Sequence, residues 1–271
     1  KARWVARMVA RAALPAGALA KVGGIESGTT VLEIGPGTGN LTYELLALAH
    51  LRQGFGEQGG TVIAVEKDPA LVEKLRARFA NETASGALTI VQDDIRSVSP
   101  ESLGLKNHSY ILAANIPYYI TGEIIRAFLE SAAQPKRMAL LVQREVANRI
   151  AKSRKESVLS LSVKSYGTPK YIKTVSRSCF SPAPNVDSAI LFIENISRDF
   201  FKDFSEEQFF KIIKAGFASK RKLLVSNLSR IAPREKVQEA FQVCTIAPKA
   251  RAEDVSLEGW GCVAQELGTF A

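Results

Sequence analysis

Short apolar runs alternate with amphipathic segments along the first part of the chain. The runs predict buried strands, and apolar positions three or four residues apart in the intervening segments predict helices. The predicted strands are 30–34, 61–65, 88–91, 110–114 and 138–143, and the predicted helices are 41–50, 69–79, 121–131 and 144–151. This alternation predicts an α/β fold with a parallel, doubly wound, Rossmann-like sheet, whose ligands bind at the carboxyl ends of the strands.

The pattern changes near Asn195 and Ile196, after which helical spacing continues without intervening strands. The predicted helices of this region are 200–214, 220–231, 234–243 and 257–267. We therefore expect two domains, an α/β domain over residues 1–195 and a small all-helical domain over 196–271. A Gly-rich stretch at 51–60 is expected to be a flexible surface insertion.

The first predicted strand leads directly into a glycine-rich turn that opens a helix. Glycines let the backbone approach a ligand closely at a helix amino terminus. The motif is only a weak signal by itself, and its spacing differs from the GxGxxG dinucleotide fingerprint. The candidate cofactor-binding residues of this turn are Glu33, Gly35, Gly37 and Gly39.

Acidic residues follow the second and third predicted strands. Glu66 and Lys67, at the end of the second strand, are candidate cofactor-binding residues, and an acid at position 66 suits the two hydroxyls of a ribose. Asp94 follows the third strand, where its carboxylate could accept a hydrogen bond from the amino group of an adenine while Ile95 covers the ring. Together these residues favour S-adenosylmethionine over a nicotinamide as the cofactor.

The fourth predicted strand ends in the tetrapeptide Asn115-Ile116-Pro117-Tyr118. The Asn115 amide and the Ile116 carbonyl can accept hydrogen bonds from an amine, while the rigid Pro117 fixes the backbone and Tyr118 stacks on a flat ring. This combination could present the exocyclic amine of an adenine to an electrophile. Strand ends often turn with Asn and Pro, so the tetrapeptide gains its weight from the neighbouring strand ends.

Positive charge is concentrated in one part of the chain. The net charge is +9, and residues 131–190 contain eleven Lys or Arg against three Asp or Glu, a surplus of eight. Such a concentration favours a nucleic-acid partner, although a solvated basic face would have the same composition. The candidate RNA-binding residues are Arg144, Arg149, Lys152, Arg154, Lys220, Arg221 and Lys222.

The three cysteines are scattered, and the chain has only two histidines. We therefore expect no metal site, no disulfide framework and a reducing cytoplasmic location. No apolar run approaches the ~18 residues of a membrane span, so no membrane partner is expected.

Several sequence blocks resemble the KsgA/Dim family of ribosomal RNA adenine N6,N6-dimethyltransferases. Four blocks are shared with the related Erm enzymes, namely 31–39, 64–69, 92–95 and 115–118, and so is much of FSPAPNVDSA at 180–189. The blocks GFASKRKLLVSNL at 216–228 and RAEDVS at 251–256 resemble the KsgA/Dim helical domain. The resemblance is therefore closest to the bacterial-type small-subunit enzyme.

The resemblance implies an activity as well as a fold. Methyl groups of S-adenosylmethionine would be transferred to N6 of two adjacent adenosines, in a hairpin loop near the 3′ end of small-subunit rRNA, during assembly of a 30S-type particle. By position, Gly35, Glu66, Asp94 and Asn115 fall at the cofactor or target amine, and Tyr118 and Phe180 fall where the family sandwiches the flipped adenine. We expect a monomer.

The chain departs from the family ahead of the first strand. Members usually carry a GQxFL-type segment there, which covers the cofactor and contacts RNA, whereas this chain has Trp4-Val-Ala-Arg-Met-Val-Ala10. Either that segment is lost or the amino end is atypical, so the resemblance does not extend to cofactor closure or to the amino-terminal RNA contacts.

Three alternatives share parts of this pattern. An Erm-type large-subunit rRNA methyltransferase has the same strand-end motifs, and a DNA adenine methyltransferase typically has Asp or Asn followed by Pro-Pro in place of NIPY. A non-catalytic RNA-binding assembly or transcription factor could use the same fold, although intact cofactor motifs argue against it.

Overall fold

The computed structural model describes residues 13–50, 59–180 and 183–268. The atypical segment Trp4–Ala10 and most of the Gly-rich stretch lie outside the described residues. In the described part of the chain, no helix is long and apolar enough to cross a membrane.

A seven-stranded sheet forms the centre of the first unit, in the order β3-β2-β1-β4-β5-β7-β6. The strands are β1 Thr30–Ile34, β2 Val62–Glu66, β3 Leu88–Gln92, β4 Tyr110–Asn115, β5 Arg137–Gln143, β6 Thr168–Val175 and β7 Ser188–Glu194. Strands β1 to β5 are parallel, and their ends lie within one residue of the predicted ends. The predicted doubly wound core is confirmed, because β2 lies on one side of β1 and β4 on the other.

Beyond the predicted parallel core, the sheet contains two strands that the sequence analysis did not assign, β6 and β7. Strand β7 pairs antiparallel with β5, from Gln143 opposite Ser188 to Met138 opposite Ile193, which makes the sheet mixed. The sequence analysis assigned no element between Ala151 and Asn195. The apolar run of β7 is buried and gave a usable signal, whereas β6 is largely exposed and lacks one.

Helices cover the sheet, and the helix predicted to start at Pro69 begins there because a capping residue precedes it. Asp68 caps the helix that starts at Pro69, since its side chain accepts the Ala70 N–H at 2.9 Å. The helices are α1 Ala13–Val22, α2 Asn40–His50, α3 Pro69–Arg78, α4 Ala80–Ala84, α5 Thr121–Glu130 and α6 Arg144–Ala151.

The chain divides into two compact units, but the division is not a single cut. The first unit comprises the described residues up to 147 together with 169–196, and the second comprises 148–168 with the described residues from 197 onward. The segment 148–168 was assigned to the α/β domain, yet it groups with the helical region. Its helix α7 (Val158–Lys164) carries Tyr166 just beyond its end, where the ring lies 5.1 Å from Phe201.

The remaining helices of the second unit are α8 Glu206–Gly216, α9 Leu224–Leu228, α10 Arg234–Val243 and α11 Leu257–Leu267. Two predictions were too long here. Ser205 caps α8 and sets its start, and α9 occupies only part of the predicted 220–231. The buried amide of Asn227 donates to the carbonyls of Gly216 and Ser219, at 2.6 and 3.1 Å, and so holds 217–223 in a turn.

The expectation of no disulfide was wrong. Cys244, at the end of α10, is bonded to Cys262 in α11, and these two helices pack together. The cysteines are 18 residues apart, so only the tertiary packing brings them together. Cys179 is a free thiol.

Candidate active site

Three candidate residues lie at the carboxyl ends of adjacent strands of the parallel sheet. Ile34 of β1 pairs with Val65 on one side and with Ala114 on the other. Gly35, Glu66 and Asn115 are the next residues of these three strands, so they lie at the same edge of the sheet. This edge contains the point where the strand order reverses, which is the usual ligand site of such sheets.

The glycine turn is held to the second strand by backbone contacts. The Gly35 N–H donates to the Val65 carbonyl at 3.0 Å, and the Gly39 N–H donates to the Pro36 carbonyl at 2.9 Å. Gly35 has φ +65°, and a Cβ built there meets no atom within 4 Å. A side chain at this position would therefore extend into open space at the strand-end edge.

Glu66 is buried, and both of its carboxylate oxygens are positioned by the backbone. One oxygen accepts the Gly37 N–H at 3.1 Å, and the other accepts the Asp68 N–H at 2.9 Å. These bonds fix the carboxylate between the glycine turn and the start of α3. Each oxygen keeps acceptor capacity for a further donor, as ribose hydroxyls would require.

Asp94 is held by two cations. One oxygen accepts the backbone N–H and the Nε–H of Arg96, both at 3.1 Å, while the other accepts from Arg96 Nη2 at 2.6 Å and from Lys67 Nζ at 2.8 Å. These hydrogen bonds hold the pKa of the Asp94 carboxyl well below its usual range, with Arg96 the larger cause and Lys67 the next. Sequence reasoning missed Arg96, although its place two residues after Asp94 was a usable signal.

Glu33 is a titratable group of this edge whose pKa is strongly shifted by burial. Its side chain is 1 % exposed, and within the described part of the chain neither carboxylate oxygen has a hydrogen bond of ordinary geometry. Burial raises the pKa of Glu33 to about 8; the charge of Glu66 adds to the rise, and nearby Thr42 partly opposes it. A buried carboxyl without a partner costs stability, and such groups are found preferentially at functional sites.

Glu33 borders a small cavity together with Gly35, Asn115 and Phe180. The enclosed part is about 20 Å³, which is room for one water-sized group. Phe180 is almost completely buried among core residues, and it lines the same cavity as Asn115. Only a compact end of a larger ligand could reach Glu33 through this space.

The tetrapeptide after β4 turns sharply and is fixed at both ends. The Ile116 N–H donates to the Leu141 carbonyl at 3.3 Å, and the Pro117 carbonyl accepts the Ile120 N–H at 3.1 Å. Tyr118 is half-buried and starts a short 3-10 turn, and its hydroxyl lies 2.8 Å from Ser188 Oγ. Burial raises the pKa of Tyr118; the hydrogen bond to Ser188 partly opposes the rise, and the nearby Asp187 charge adds to it.

With this geometry established, comparison with known proteins decides the family. The sequence profile described as ribosomal RNA adenine dimethylase matches residues 15–268. The chain belongs to the ribosomal RNA adenine dimethylase family. Membership makes it an S-adenosylmethionine-dependent methyltransferase, which confirms the predicted family, enzyme class and cofactor.

Curated relatives in this family resemble the chain over most of its length. A ribosomal RNA small subunit methyltransferase A of Dehalococcoides mccartyi is 38% identical over 234 residues, which are 85% of this chain and 76% of the relative. The protein of the same name from Fusobacterium nucleatum is 36% identical over 242 residues, which are 88% of this chain and 86% of the relative.

Solved structures confirm the fold independently. A dimethyladenosine transferase from Plasmodium falciparum superposes with a TM-score of 0.73 at 21% identity, covering 94% of this chain and 95% of the other. The 23S rRNA methyltransferase ErmE superposes with a TM-score of 0.71 at 22% identity, covering 94% and 97%. At these identities the likeness concerns the Rossmann-like fold with its helical carboxyl-terminal region.

The residues at the strand-end edge fit the family's cofactor. The open space beside Gly35 suits close approach of the ligand, and the fixed carboxylate of Glu66 suits ribose hydroxyls. The buried carboxyl of Glu33, which has no hydrogen bond of ordinary geometry to the described residues, suits a cation. Asp94 fits less simply, because its four acceptor positions are already occupied.

The candidate RNA-binding residues of the family member are exposed, but they are not equivalent. Arg144 is ion-paired with Asp187 at 3.0 Å. Arg149 and Lys152, on or next to α6, also have interactions within the fold. The other four candidates, Arg154, Lys220, Arg221 and Lys222, are also exposed.

Proposed function

We propose that this family member dimethylates N6 of two adjacent adenosines in a hairpin loop near the 3′ end of small-subunit rRNA. The observation that supports this most directly is the position of Asn115, which lies at the same sheet edge as Gly35 and Glu66. The Asn115 amide, which can accept a hydrogen bond from an amine, therefore lies at the same edge as the residues suited to the methyl donor. The names of the relatives support the small subunit as the substrate.

The first unit binds the cofactor, which supplies an electrophilic methyl group on a positively charged sulfur. Gly35, Gly37 and Gly39 allow close approach of the ligand at the start of α2. Glu66 receives the ribose hydroxyls on its remaining lone pairs, and Glu33 faces the cationic end of the methionine part. Asp94 and Ile95 form the adenine side of the pocket, with Lys67 next to Asp94.

The target adenine is bound by the tetrapeptide 115–118. The N6 lone pair is delocalised into the ring, so the free amine is a poor nucleophile. The N6 amine donates hydrogen bonds to the Asn115 side-chain oxygen and to the Ile116 carbonyl. These bonds favour a tetrahedral nitrogen and make its lone pair available. Pro117, at φ −55°, fixes that carbonyl, and the rings of Tyr118 and Phe180 hold the base.

Positive charge that develops on the base is stabilised by the Tyr118 ring. A strong general base is unnecessary, because the nitrogen becomes strongly acidic once it bears the additional methyl group. The base must leave its stack to reach this pocket, and a loop position makes that step less costly.

Docking of the RNA uses phosphate contacts from the exposed basic residues on and after α6 and at 220–222. Contacts of this kind position the RNA but do not read its sequence. We further propose that the enzyme acts as a monomer on assembling particles in the cytoplasm.

The function is tested with labelled S-adenosylmethionine and small subunits isolated in the unmethylated state. Incorporation of four methyl groups per particle, mapped to two neighbouring adenosines, is the expected result. The variant Asn115→Ala should lose at least about 100-fold in rate while it keeps its melting temperature and cofactor affinity. Near-normal methylation by that variant would refute the role given to Asn115.

Matched incubations with large subunits and with protein-free RNA test the substrate. Preferential methylation of the large subunit would establish an Erm-type activity instead. Calorimetry with S-adenosylmethionine addresses the scaffold alternative, because a folded protein that binds no cofactor would act without catalysis.

A further inference from the structure

The hydroxyl of Ser188 contacts the ring proposed to stack on the target base. Ser188 Oγ lies 2.8 Å from the Tyr118 hydroxyl, although the two residues are 70 positions apart in the sequence. Ser188 is 0 % exposed and is the first residue of β7, where it pairs with Gln143 of β5. Its hydroxyl is therefore supported by the sheet, whereas Tyr118 lies on a short turn.

The hydrogen bond to Ser188 fixes the far end of the Tyr118 side chain. The phenol oxygen lies on the axis of the outer side-chain torsion, so the bond restrains the inner torsion, which sets the direction in which the ring projects from the turn. A ring that stacks on a base must be held at a defined position, so this restraint matters for the reaction more than for folding.

The preceding residue, Asp187, organises the segment that leads to the second ring. One carboxylate oxygen accepts the Arg177 N–H at 3.1 Å, and the other accepts from Arg144 at 3.0 Å. Arg177 begins the 3-10 turn that ends at Cys179, immediately before Phe180. Asp187 thus attaches the turn that delivers Phe180 to the start of β7.

Asp187 is also held in place by its own backbone. Its carbonyl accepts the Arg144 N–H at 3.0 Å, which joins the end of β5 to the start of β7. Asp187, directly before β7, and Ser188, its first residue, therefore support the turn before Phe180 and Tyr118 respectively. Sheet pairing fixes the distance between these two supports.

We propose that Asp187 and Ser188 are positioning residues that set the orientation of the two aromatic rings around the target adenine. They act through Tyr118 and Phe180 and do not contact the reacting atoms. This inference rests on the proposed function, because it assigns a purpose to rings that the proposal places on the base.

The Ser188 half is tested by a double-mutant cycle with Ser188→Ala, Tyr118→Phe and the double variant. Each single variant should lower the single-turnover methylation rate by roughly tenfold at saturating cofactor and RNA, and the double variant should be no slower than either. Cofactor affinity by calorimetry should stay within about twofold in all three.

A fluorescence signal separates positioning from a loss of folding. RNA with 2-aminopurine at the mapped target is quenched when the base stacks on an aromatic ring, and Ser188→Ala should weaken that quenching. Multiplicative losses in the cycle, or unchanged quenching with a lowered melting temperature, would overturn the inference. A wild-type protein that methylates no subunit would overturn the proposed function and this inference together, whereas an active wild type with an equally active Ser188→Ala overturns only the inference.

The Asp187 half is tested by comparing Asp187→Asn with Asp187→Ala. The Asn side chain keeps an oxygen that can accept the Arg177 N–H, whereas the Ala side chain has no acceptor. We expect the methylation rate of Asp187→Ala to be roughly tenfold lower than that of Asp187→Asn. The 2-aminopurine quenching should also be weaker in Asp187→Ala. Equal losses in the two variants would show that the turn before Phe180 does not depend on this hydrogen bond.

Discussion

The ammonium of Lys67 lies 2.8 Å from the Asp94 carboxylate, on the oxygen that also accepts from Arg96. With the two bonds from Arg96 to the other oxygen, all four acceptor positions of Asp94 are used. A donor from the cofactor must therefore displace one of these partners. Lys67 makes one bond and is 69% exposed, so it is the partner that is displaced most easily.

Removal of the Lys67 ammonium should strengthen cofactor binding. Lys67→Met keeps the aliphatic stem and removes the competitor for Asp94, so we expect the Kd for S-adenosylmethionine to fall about threefold, since an exposed ion pair contributes ~0.2–1 kcal/mol. Calorimetry at low and high salt measures this effect, which should shrink as salt screens the wild-type pair.

The exposed Lys74 on α3 provides the matched control, because Lys74→Met removes one positive charge nearby without touching Asp94. A weaker affinity in Lys67→Met than in Lys74→Met would show that Lys67 contributes to binding and does not compete.

Glu33 should make the protein less stable as pH rises. Burial raises the pKa of Glu33 from its ordinary value of 4.5 to about 8 in the folded state, so between these values the folded state binds more protons than the unfolded state. The free energy of unfolding therefore falls with rising pH across this window, by up to about 1.4 kcal/mol per unit. Glu33→Gln is neutral throughout and should gain about 3 kcal/mol on wild type between pH 5.5 and 8, measured by urea unfolding.

The exposed Glu73 on α3 serves as the comparison, since Glu73→Gln should follow the wild-type pH dependence. Parallel stability curves for wild type and Glu33→Gln would show that Glu33 is not protonated in the folded protein.

The same carboxyl should couple cofactor binding to proton release. At pH 7 Glu33 holds its proton, and the ammonium end of the cofactor would favour the ionised form. Calorimetry in phosphate and in Tris, which differ in ionisation enthalpy, should reveal the release of close to one proton. The enthalpy for Glu33→Gln should be the same in both buffers after correction for its weaker binding, and a buffer-independent wild-type enthalpy would contradict the coupling.

Two glycines of the same turn should respond differently to a methyl group. At Gly39, φ is +83° and a Cβ would lie 2.4 Å from a ring carbon of Phe79, whereas at Gly35 a Cβ meets nothing. We expect Gly39→Ala to lose about 2–4 kcal/mol of stability from strain and overpacking.

Gly35→Ala should lose only about 1 kcal/mol of stability from backbone strain. Its methyl group extends into the space assigned to the cofactor, so we expect at least about tenfold weaker binding of S-adenosylmethionine. Thermal unfolding and calorimetry on both variants test the contrast, and unchanged affinity in Gly35→Ala would place the cofactor elsewhere.

The bond between Cys244 and Cys262 should stabilise the helical unit. It closes a loop across 18 residues, for which chain entropy predicts about 3 kcal/mol. Cys244→Ser should therefore melt at a lower temperature than wild type under non-reducing conditions. Dithiothreitol should lower the wild-type melting temperature to the value of the variant and leave the variant unchanged.

Cys179→Ser is the control, because Cys179 is free and its loss should preserve the response to reductant. A wild-type melting temperature that ignores reductant would show that the bond is unimportant for stability.

The amino-acid sequence by itself determined the parallel core and most of the candidate site. Strands β1 to β5 are continuous apolar runs, and the chemistry follows each strand directly at Gly35, Glu66, Asp94 and Asn115. Such signals are local, since an apolar run and the residue after it can be recognised without any distant contact. The parallel alternation then implies that the four strand ends share one edge.

Tertiary structure decided everything that depends on contacts between distant segments. It added β7 to the sheet in the opposite direction, grouped residues 148–168 with the helical unit and joined Cys244 to Cys262. It also placed Ser188 against Tyr118, whereas neither residue alone indicates the other. The physical reason is that strand order, disulfide pairing and hydrogen bonds across a fold depend on which surfaces are buried together, and local propensity does not specify these contacts.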